Sequence, residues 1–427
     1  MAYLIRSHDT AVTKVYFHTF GCKTNQYDTE LVKQMLEDSG AMSVDDPSEA
    51  DAAVINSCTV THAGEAKMRA MVRRLARGSE NIRTVVMGCA AALDEGVIGE
   101  LPGVVGVVGG ADPHGVLQAL GFQSRAADLG LRRFARGGRA WLKIQDGCDE
   151  HCTFCATTAA RGANRSRPIE ALVREAETLA VNHREIVLTG VHIGAYGVDW
   201  DRPSSLSLLV EALVLRVPGA RFRLSSIEAT EIDDRLAAIM TDAPHRLVPH
   251  IHAPLQSGSD RVLRRMGRHW YTSDSYYRRL DRLASRLPRL GLGADVIVGF
   301  PGEDDGDFAQ TVAIVNALPF TYLHVFPYSE RPTAAAQRLG PPVEPRTARR
   351  RSGILRRLVD AKSHAYRQSR NGGTADLVVL SRNRGRYDAL TEDYLSVGIT
   401  TDTILPGRLQ ARLQLDGDDL WAIPLAA

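Results

Sequence analysis

The chain has no apolar run approaching the roughly 20 residues needed to span a bilayer, and nothing in it reads as a transmembrane helix. Its opening, MAYLIRSHDT, lacks the basic, apolar and small-residue order of a signal peptide. Charge of neither sign prevails: 52 Lys and Arg against 50 Asp and Glu leave a formal net charge of +2. That balance by itself says little about partners; the distribution of the charge, taken up below, says more. Cysteine is scarce, with six in 427 residues, which excludes a disulfide-built scaffold. These absences predict a cytoplasmic protein without a membrane partner, whose reduced cysteines serve as ligands or catalysts.

The six cysteines fall into two sets of three. Cys148, Cys152 and Cys155 stand together in GCDEHCTFC, a C-x3-C-x2-C cluster. Cys22, Cys58 and Cys89 are dispersed in FGCKTN, NSCTVT and MGCAAA. Three thiolates are one short of filling a tetrahedral metal or an iron–sulfur cube, so each set leaves a metal position for chemistry. The alternative for Cys58 and Cys89 is the usual fate of free cysteine, an inert small core residue.

Alternating patterns predict an α/β fold. In the first part VYFHTF, DAAVINS and RTVVMG read as strands, each ending just before a dispersed cysteine. TNQYDTELVKQMLEDSG and THAGEAKMRAMVRRLARG read as helices. Open parallel sheets gather ligand residues at the carboxyl ends of their strands, so three thiols distant in sequence converge there. Residues 111–138 read as a linker. Six further candidate strands follow: AWLKIQ (140–145), EIVLTG (185–190), RFRLSSI (221–227), VPHIHAPL (248–255), ADVIVGF (294–300) and YLHVFPY (322–328). Helical patterns separate them, predicting a partial (β/α)6 barrel with the cysteine cluster on the loop after its first strand. The tail, with TADLVVLSR, ALTEDYLSVGI, GRLQARLQL and LWAIPLA, reads as a small all-β barrel suited to RNA. The expected divisions are residues 1–127, 134–368 and 370–427.

The C-x3-C-x2-C spacing favours three irons of a cubane over zinc, which usually recruits a fourth Cys or His at regular spacing. His151, between the first two cysteines, is poorly placed to complete a zinc site. Before the tail, EPRTARRRSGILRRLVDAKSHAYRQSR carries nine Lys/Arg against two acids. It is either a solvated basic helix or a phosphate-facing surface.

Gly21-Cys22-Lys23-Thr24-Asn25 stands with Asp28 and Glu30, Asn56-Ser57-Cys58-Thr59-Val60-Thr61 surrounds the second cysteine, and MGC lies at 87–89. Further motifs are QDGC (145–148), VLTGVHIGAYG (187–197), RLSSIE (223–228), PLQSGSD (254–260), VGFPGE (298–303), HVFPYS (324–329) and TEDYL (391–395). Together they carry a resemblance to the radical S-adenosylmethionine methylthiotransferases. It implies an N-terminal parallel-sheet domain, a central radical-SAM barrel and a C-terminal TRAM-like RNA-binding barrel. Two 4Fe-4S clusters are implied. One, on Cys148, Cys152 and Cys155, would chelate S-adenosylmethionine and cleave it to a 5′-deoxyadenosyl radical. The other, on Cys22, Cys58 and Cys89, would carry the sulfur that is methylated and delivered to an unactivated carbon. Implied partners are tRNA and an electron donor such as flavodoxin or ferredoxin.

The resemblance also implies cofactor contacts. Thr189, Gly190 and Gly194 would meet the amino group, Ser226 and Glu228 the ribose hydroxyls, and Val298 and Gly299 the adenine. The alternative for each is an ordinary turn or cap residue. Arg161, Arg165 and Arg167 would meet substrate phosphates, close the site, or lie on a solvated face. Lys23 after Cys22, CTVT and TGVHIGAYG are similar to the branch that modifies C2 of threonylcarbamoyladenosine-37. Two stretches depart from the family pattern: Ala156-Thr157-Thr158-Ala159-Ala160 lacks bulky residues and proline, and Ala90-Ala91-Ala92-Leu93 replaces an alanine–glutamine pair. Both put the acceptor in question more than the reaction. The competing readings are a radical enzyme acting on another tRNA adenosine or on a protein side chain, and a non-catalytic metal-containing RNA-binding protein.

Overall fold

The computed structural model describes residues 12–59, 62–123, 130–134, 137–331 and 334–425. Val60 and Thr61 of the second motif, the opening segment, and parts of the expected linker lie outside the described residues. The chain forms two compact units: residues 1–129 with Ala159–Arg161, and residues 130–158 with 162–427.

The first unit contains β1 (Lys14–Thr19), α1 (Lys23–Asp38), β2 (Met42–Val44), β3 (Ala52–Ser57), α2 (His62–Gly78), β4 (Arg83–Gly88), α3 (Cys89–Ala92), β5 (Val104–Gly109) and α4 (Pro113–Ala119). The strands form one parallel sheet in the order β2-β1-β3-β4-β5. The three strands before the dispersed cysteines are present as expected. The outer strands β2 and β5 were not identified from sequence, because β2 has only three residues and VVGVVG lacks alternation. β3 is buried along its whole length, as a central parallel strand covered on both faces must be. The order reverses between β1 and β3, the kind of switch point that opens a crevice at strand ends.

The second unit begins with β6 (Arg139–Lys143), followed by β7 (Gln145–Asp146) and β8 (Arg165–Ser166), an antiparallel pair; α5 (Thr157–Arg161) falls between them in sequence, its last three residues counted with the first unit. Next come α6 (Ile169–Ala180), β9 (Glu185–Thr189), α7 (Leu206–Arg216), β10 (Arg221–Leu224), α8 (Asp234–Asp242) and β11 (His250–His252). Then follow α9 (Asp260–Arg265), α10 (Ser273–Arg286), β12 (Gly291–Val298), α11 (Asp305–Ala317) and β13 (Tyr322–Pro327). All six expected barrel strands are present. β6, β9 and β10 pair in parallel, as do β11, β12 and β13, and the bridges Phe222–Leu247 and Ser226–His252 join the two sets. Among the described residues β13 does not pair with β6, so the barrel is open. VPHIHAPL supplies only three strand residues, since Pro249 and Pro254 cannot donate to a ladder.

The basic segment is α12 (Pro345–Arg370), started by the Glu344 carboxylate, which accepts from the amides of Arg346 and Thr347. It leads into β14 (Thr374–Asn383), β15 (Arg386–Thr391), β16 (Ser396–Thr400), β17 (Arg408–Asp416) and β18 (Asp419–Pro424), a closed barrel in the order β14-β15-β16-β18-β17. ALTEDYLSVGI contributes to two of these strands, β15 and β16. Thr391 and Leu395 close a turn between β15 and β16, with Tyr394 at φ +72°.

That turn meets the barrel strands. Arg221 and Arg223 are fully buried; Arg221 donates to the carbonyls of Asp376 and Leu390, and Arg223 to those of Thr391 and Glu392. Both also bond Glu185, which Arg139 reaches at 2.7 Å. TEDYL thus docks the small barrel onto the core. No described helix is long and apolar enough to cross a membrane.

Candidate iron–sulfur sites

Cys58 and Cys89 follow β3 and β4 directly, Cys22 comes three residues past the end of β1, and the three gather around Gly21 and Asn25. Asn25 is buried, and its Nδ2 donates to the Phe20 carbonyl (3.1 Å), Asn56 Oδ1 (3.0 Å) and the Ser57 carbonyl (2.9 Å). Its Oδ1 accepts from the Cys22 thiol at 3.5 Å and stands 3.9 Å from Cys89 Sγ. Asn56 Nδ2 bonds back to the Asn25 carbonyl at 2.9 Å. Ser57 Oγ donates to the Met87 carbonyl at 2.6 Å and accepts from the Ala91 amide at 3.1 Å, tying the Cys58 and Cys89 loops together. Gly88 sits at φ +96°, and a Cβ there would lie 2.3 Å from Asn56 Oδ1, so only glycine fits before Cys89.

Arg161 belongs to this site. Its side chain is almost fully buried. It donates to Asp28 Oδ2 (2.8 Å), to Asn25 Oδ1 (2.7 Å) and, through Nε, to Cys89 Sγ (3.3 Å). Of the three alternatives for Arg161, contact with phosphate and a solvated face are corrected, because a buried guanidinium needs a carboxylate and finds it in Asp28. Arg167 is likewise engaged, with Glu175 and the Lys143 carbonyl, whereas Arg165 is exposed.

Cys148, Cys152 and Cys155 lie between β7 and α5. The Cys148 amide bonds the Gly162 carbonyl, and amides of Glu150 and Thr157 point at Cys148 Sγ (3.4 Å) and Cys155 Sγ (3.3 Å). Arg268 reaches Cys152 Sγ at 3.7 Å, pairs with Glu228, and lies against the Trp270 and Tyr271 rings. His192 sits 3.7 Å from Cys148 Sγ through Nδ1 and 2.6 Å from Glu231 through Nε2. Burial alone would lower the His192 pKa. Its bonds to Cys148 and Glu231 outweigh this and hold it up at about 10. Gln145 joins the two loops: its Nε2 donates to Gly147 and Asn164, and its Oε1 accepts from the amides of Val191 and His192. A Cβ on Gly147, at φ +75°, would lie 1.8 Å from the Ala163 carbonyl.

Both sets fit an iron–sulfur cluster better than one zinc ion. Two sulfurs about 2.3 Å from a tetrahedral zinc lie roughly 3.8 Å apart. Neither cysteine set brings all three sulfurs within 4.8 Å of one another. All six thiols are free. Burial pushes the Cys89 thiol up, and pushes Cys152 up to about 12, against the opposing pull of Arg161 and Arg268. A coordinated metal ion deprotonates a thiol outright, so a bound cluster would hold these sulfurs as thiolates. Each set also has one arginine aimed at a sulfur, and hydrogen bonds to sulfur are among the determinants of a cluster's potential.

The expected cofactor contacts are unequal. Thr189 ends β9, and Gly190, the next residue, abuts Gln145; Gly194 abuts the Glu231 carboxylate. Ser226 is exposed. Glu228 is buried, burial raises its pKa, and its Oε2 has no hydrogen-bond partner among the described residues. Val298 is fully buried, and the Gly299 amide donates to Glu303 Oε2 at 2.6 Å. Sequence reasoning singled out neither Arg268, which has no local motif, nor the sulfur-facing role of His192, although TGVHIG contains it.

Residues 14–110 match the model of the uncharacterized protein family UPF0004, and residues 142–315 that of the radical SAM superfamily. The threonylcarbamoyladenosine tRNA methylthiotransferase MtaB of Bacillus subtilis is 39% identical over 82% of this chain and 81% of its own length. That of Aquifex aeolicus is 33% identical over 90% of this chain and 96% of its own. Among solved structures, the radical S-adenosylmethionine methyltransferase TsrM of Kitasatospora setae, with cobalamin and a [4Fe-4S] cluster bound, matches with a TM-score of 0.56. It covers 74% of this chain and 72% of its own at 13% identity, a likeness of fold alone. On the strength of the relatives' identity and coverage, this chain belongs to the radical SAM methylthiotransferases, in the family named for threonylcarbamoyladenosine in tRNA.

Proposed function

We propose that this protein installs a methylthio group at C2 of N6-threonylcarbamoyladenosine in tRNA. The observation that carries the reading is the pair of three-cysteine sites, each one ligand short and each with an arginine on a sulfur. Filled with 4Fe-4S clusters, such sites supply one-electron cleavage of S-adenosylmethionine at one and a place for transferable sulfur at the other.

The chain's own residues do the holding. Cys148, Cys152 and Cys155 ligate one cluster, with His192 and Arg268 offsetting thiolate charge. Gln145 fixes the cysteine loop against the Thr189-Gly190 loop. The open Glu228 Oε2 and the exposed Ser226 hydroxyl are suited to ribose hydroxyls, and Gly194, Val298 and Gly299 shape the surrounding walls. Cys22, Cys58 and Cys89 ligate the second cluster, held in register by Asn25. On α12, Arg346, Arg349, Arg350, Arg356 and Arg357 are exposed and suited to tRNA phosphates. The division of labour assigns residues 1–127 to sulfur, 134–368 to S-adenosylmethionine and 370–427 to RNA. A flavodoxin or ferredoxin supplies the electron.

The test is nucleoside mass spectrometry of tRNA after anaerobic reaction of the reconstituted protein with S-adenosylmethionine and a reductant. Appearance of 2-methylthio-N6-threonylcarbamoyladenosine is the expected result. 5′-Deoxyadenosine without any modified nucleoside would move the acceptor elsewhere.

A further inference from the structure

β11, β12 and β13 run parallel, with His252 opposite Gly293 and Asp295 opposite His324. Residues two apart share a face of a strand. One face therefore carries His250 and His252, then Gly293 and Asp295, then Tyr322 and His324. The Asp295 Oδ1 lies 3.1 Å from His252 Nε2 and 3.1 Å from His324 Nδ1. Among the described residues, these three are the only group of His, Cys, Asp or Glu whose ligand atoms all lie within 4.8 Å of one another.

The two 3.1 Å separations from Asp295 suit a coordination shell: nitrogen and oxygen ligands each about 2.0–2.1 Å from an ion, at angles between octahedral and tetrahedral, lie roughly 2.8–3.4 Å apart. The surroundings are also those of a ligand set. His252 turns its other nitrogen, Nδ1, to the Tyr322 hydroxyl at 3.1 Å, and that hydroxyl also meets His250 Nε2 at 2.8 Å. Metal-bound histidines are oriented in this way by a partner on the far ring nitrogen. Gly293 makes the arrangement possible, since a Cβ there would lie 2.0 Å from the Tyr322 ring. Side-chain exposure rises from 9% at His252 through 26% at Asp295 to 57% at His324. The group is thus anchored at one end and open at the other.

We propose that His252, Asp295 and His324 bind one divalent first-row transition ion, separately from the two cysteine sites. Two imidazoles and a carboxylate suit zinc or ferrous iron, and three protein ligands leave a position for an oxygen donor on the His324 side. The bare hydrogen-bonded His–Asp–His array is the competing account.

The test uses the full chain, reconstituted anaerobically with iron and sulfide, equilibrated with Zn2+, and freed of loose metal by gel filtration. Metal content and zinc-edge X-ray absorption are then read together. The expected result is about one zinc per chain with only nitrogen and oxygen neighbours at ~2.0–2.1 Å, over an iron content of about eight. Asp295→Asn and His324→Ala should each lose that zinc while iron stays constant, and circular dichroism confirms that either variant is folded. Tyr322→Phe should retain the site with affinity weakened ~10- to 100-fold. Absence of retained zinc, sulfur in its shell, or zinc in both ligand variants undiminished from the wild type would overturn the proposal.

Discussion

Replacing Arg161 by alanine removes the guanidinium paired with a buried carboxylate and a donor to Cys89 in one step. Asp28 is only 3% exposed, and its Oδ2 lies 2.8 Å from the guanidinium. Breaking a buried pair from one side costs about 3–5 kcal/mol, because the remaining charge stays desolvated. For a unit of this size roughly 3 °C of melting temperature accompanies each kcal/mol, so a loss of about 10–15 °C is expected. Differential scanning calorimetry of the protein should show it in the lowest transition. Iron should fall from about eight toward about four per chain as the Asn25 hub loosens. Asp28→Leu combined with Arg161→Met removes both charges and should restore most of the melting temperature. That double variant still lacks the bond to Cys89 Sγ. If it retains iron, its auxiliary cluster should titrate at a lower potential than the wild type, since a hydrogen bond and a positive charge beside the sulfur both favour the reduced state. An Arg161→Ala protein melting within about 2 °C of wild type would refute the reasoning.

Cys148→Ala should abolish 5′-deoxyadenosine formation, whereas Cys22→Ala should retain cleavage and lose methylthio transfer; normal transfer by Cys22→Ala would end the auxiliary-site assignment. Burial alone would raise the Glu185 pKa, but Arg223, Arg221 and Arg139 overcome it and hold the carboxyl well below its usual range. Its contribution is therefore present above the unfolded value of about 4.3 and is lost only as pH falls through the lower folded value. Glu185→Gln should accordingly melt lower than wild type by a constant interval between pH 5 and 8, narrowing only in stronger acid, as melting curves across pH would reveal. Substituting Arg346, Arg349, Arg350 and Arg357 by alanine should weaken tRNA binding and flatten its salt dependence by about 0.7–0.9 per lost phosphate contact. An unchanged slope in filter binding would return α12 to a structural role.

The strands before each dispersed cysteine, the six barrel strands and the C-x3-C-x2-C loop were legible in the sequence. Each depends on short-range pattern: apolar runs, helical periodicity and close ligand spacing are local properties of the chain. The division of ALTEDYLSVGI into β15 and β16 was not legible, since its turn is stabilised by distant groups, the buried guanidiniums of Arg223 and Arg370 among them. For the same reason the basic segment could not be sorted into its parts. Arg351 and Arg370 are buried in ion pairs with Glu303 and Asp393, while their neighbours on α12 face solvent. Which arginine meets which sulfur was likewise settled by tertiary structure. Arg161 stands 72 residues from Cys89, and Arg268 stands 116 from Cys152. Sequence spacing determines which ligands one loop can gather. The charge that compensates a buried sulfur comes from whichever element folding packs against it, and no local pattern encodes that choice.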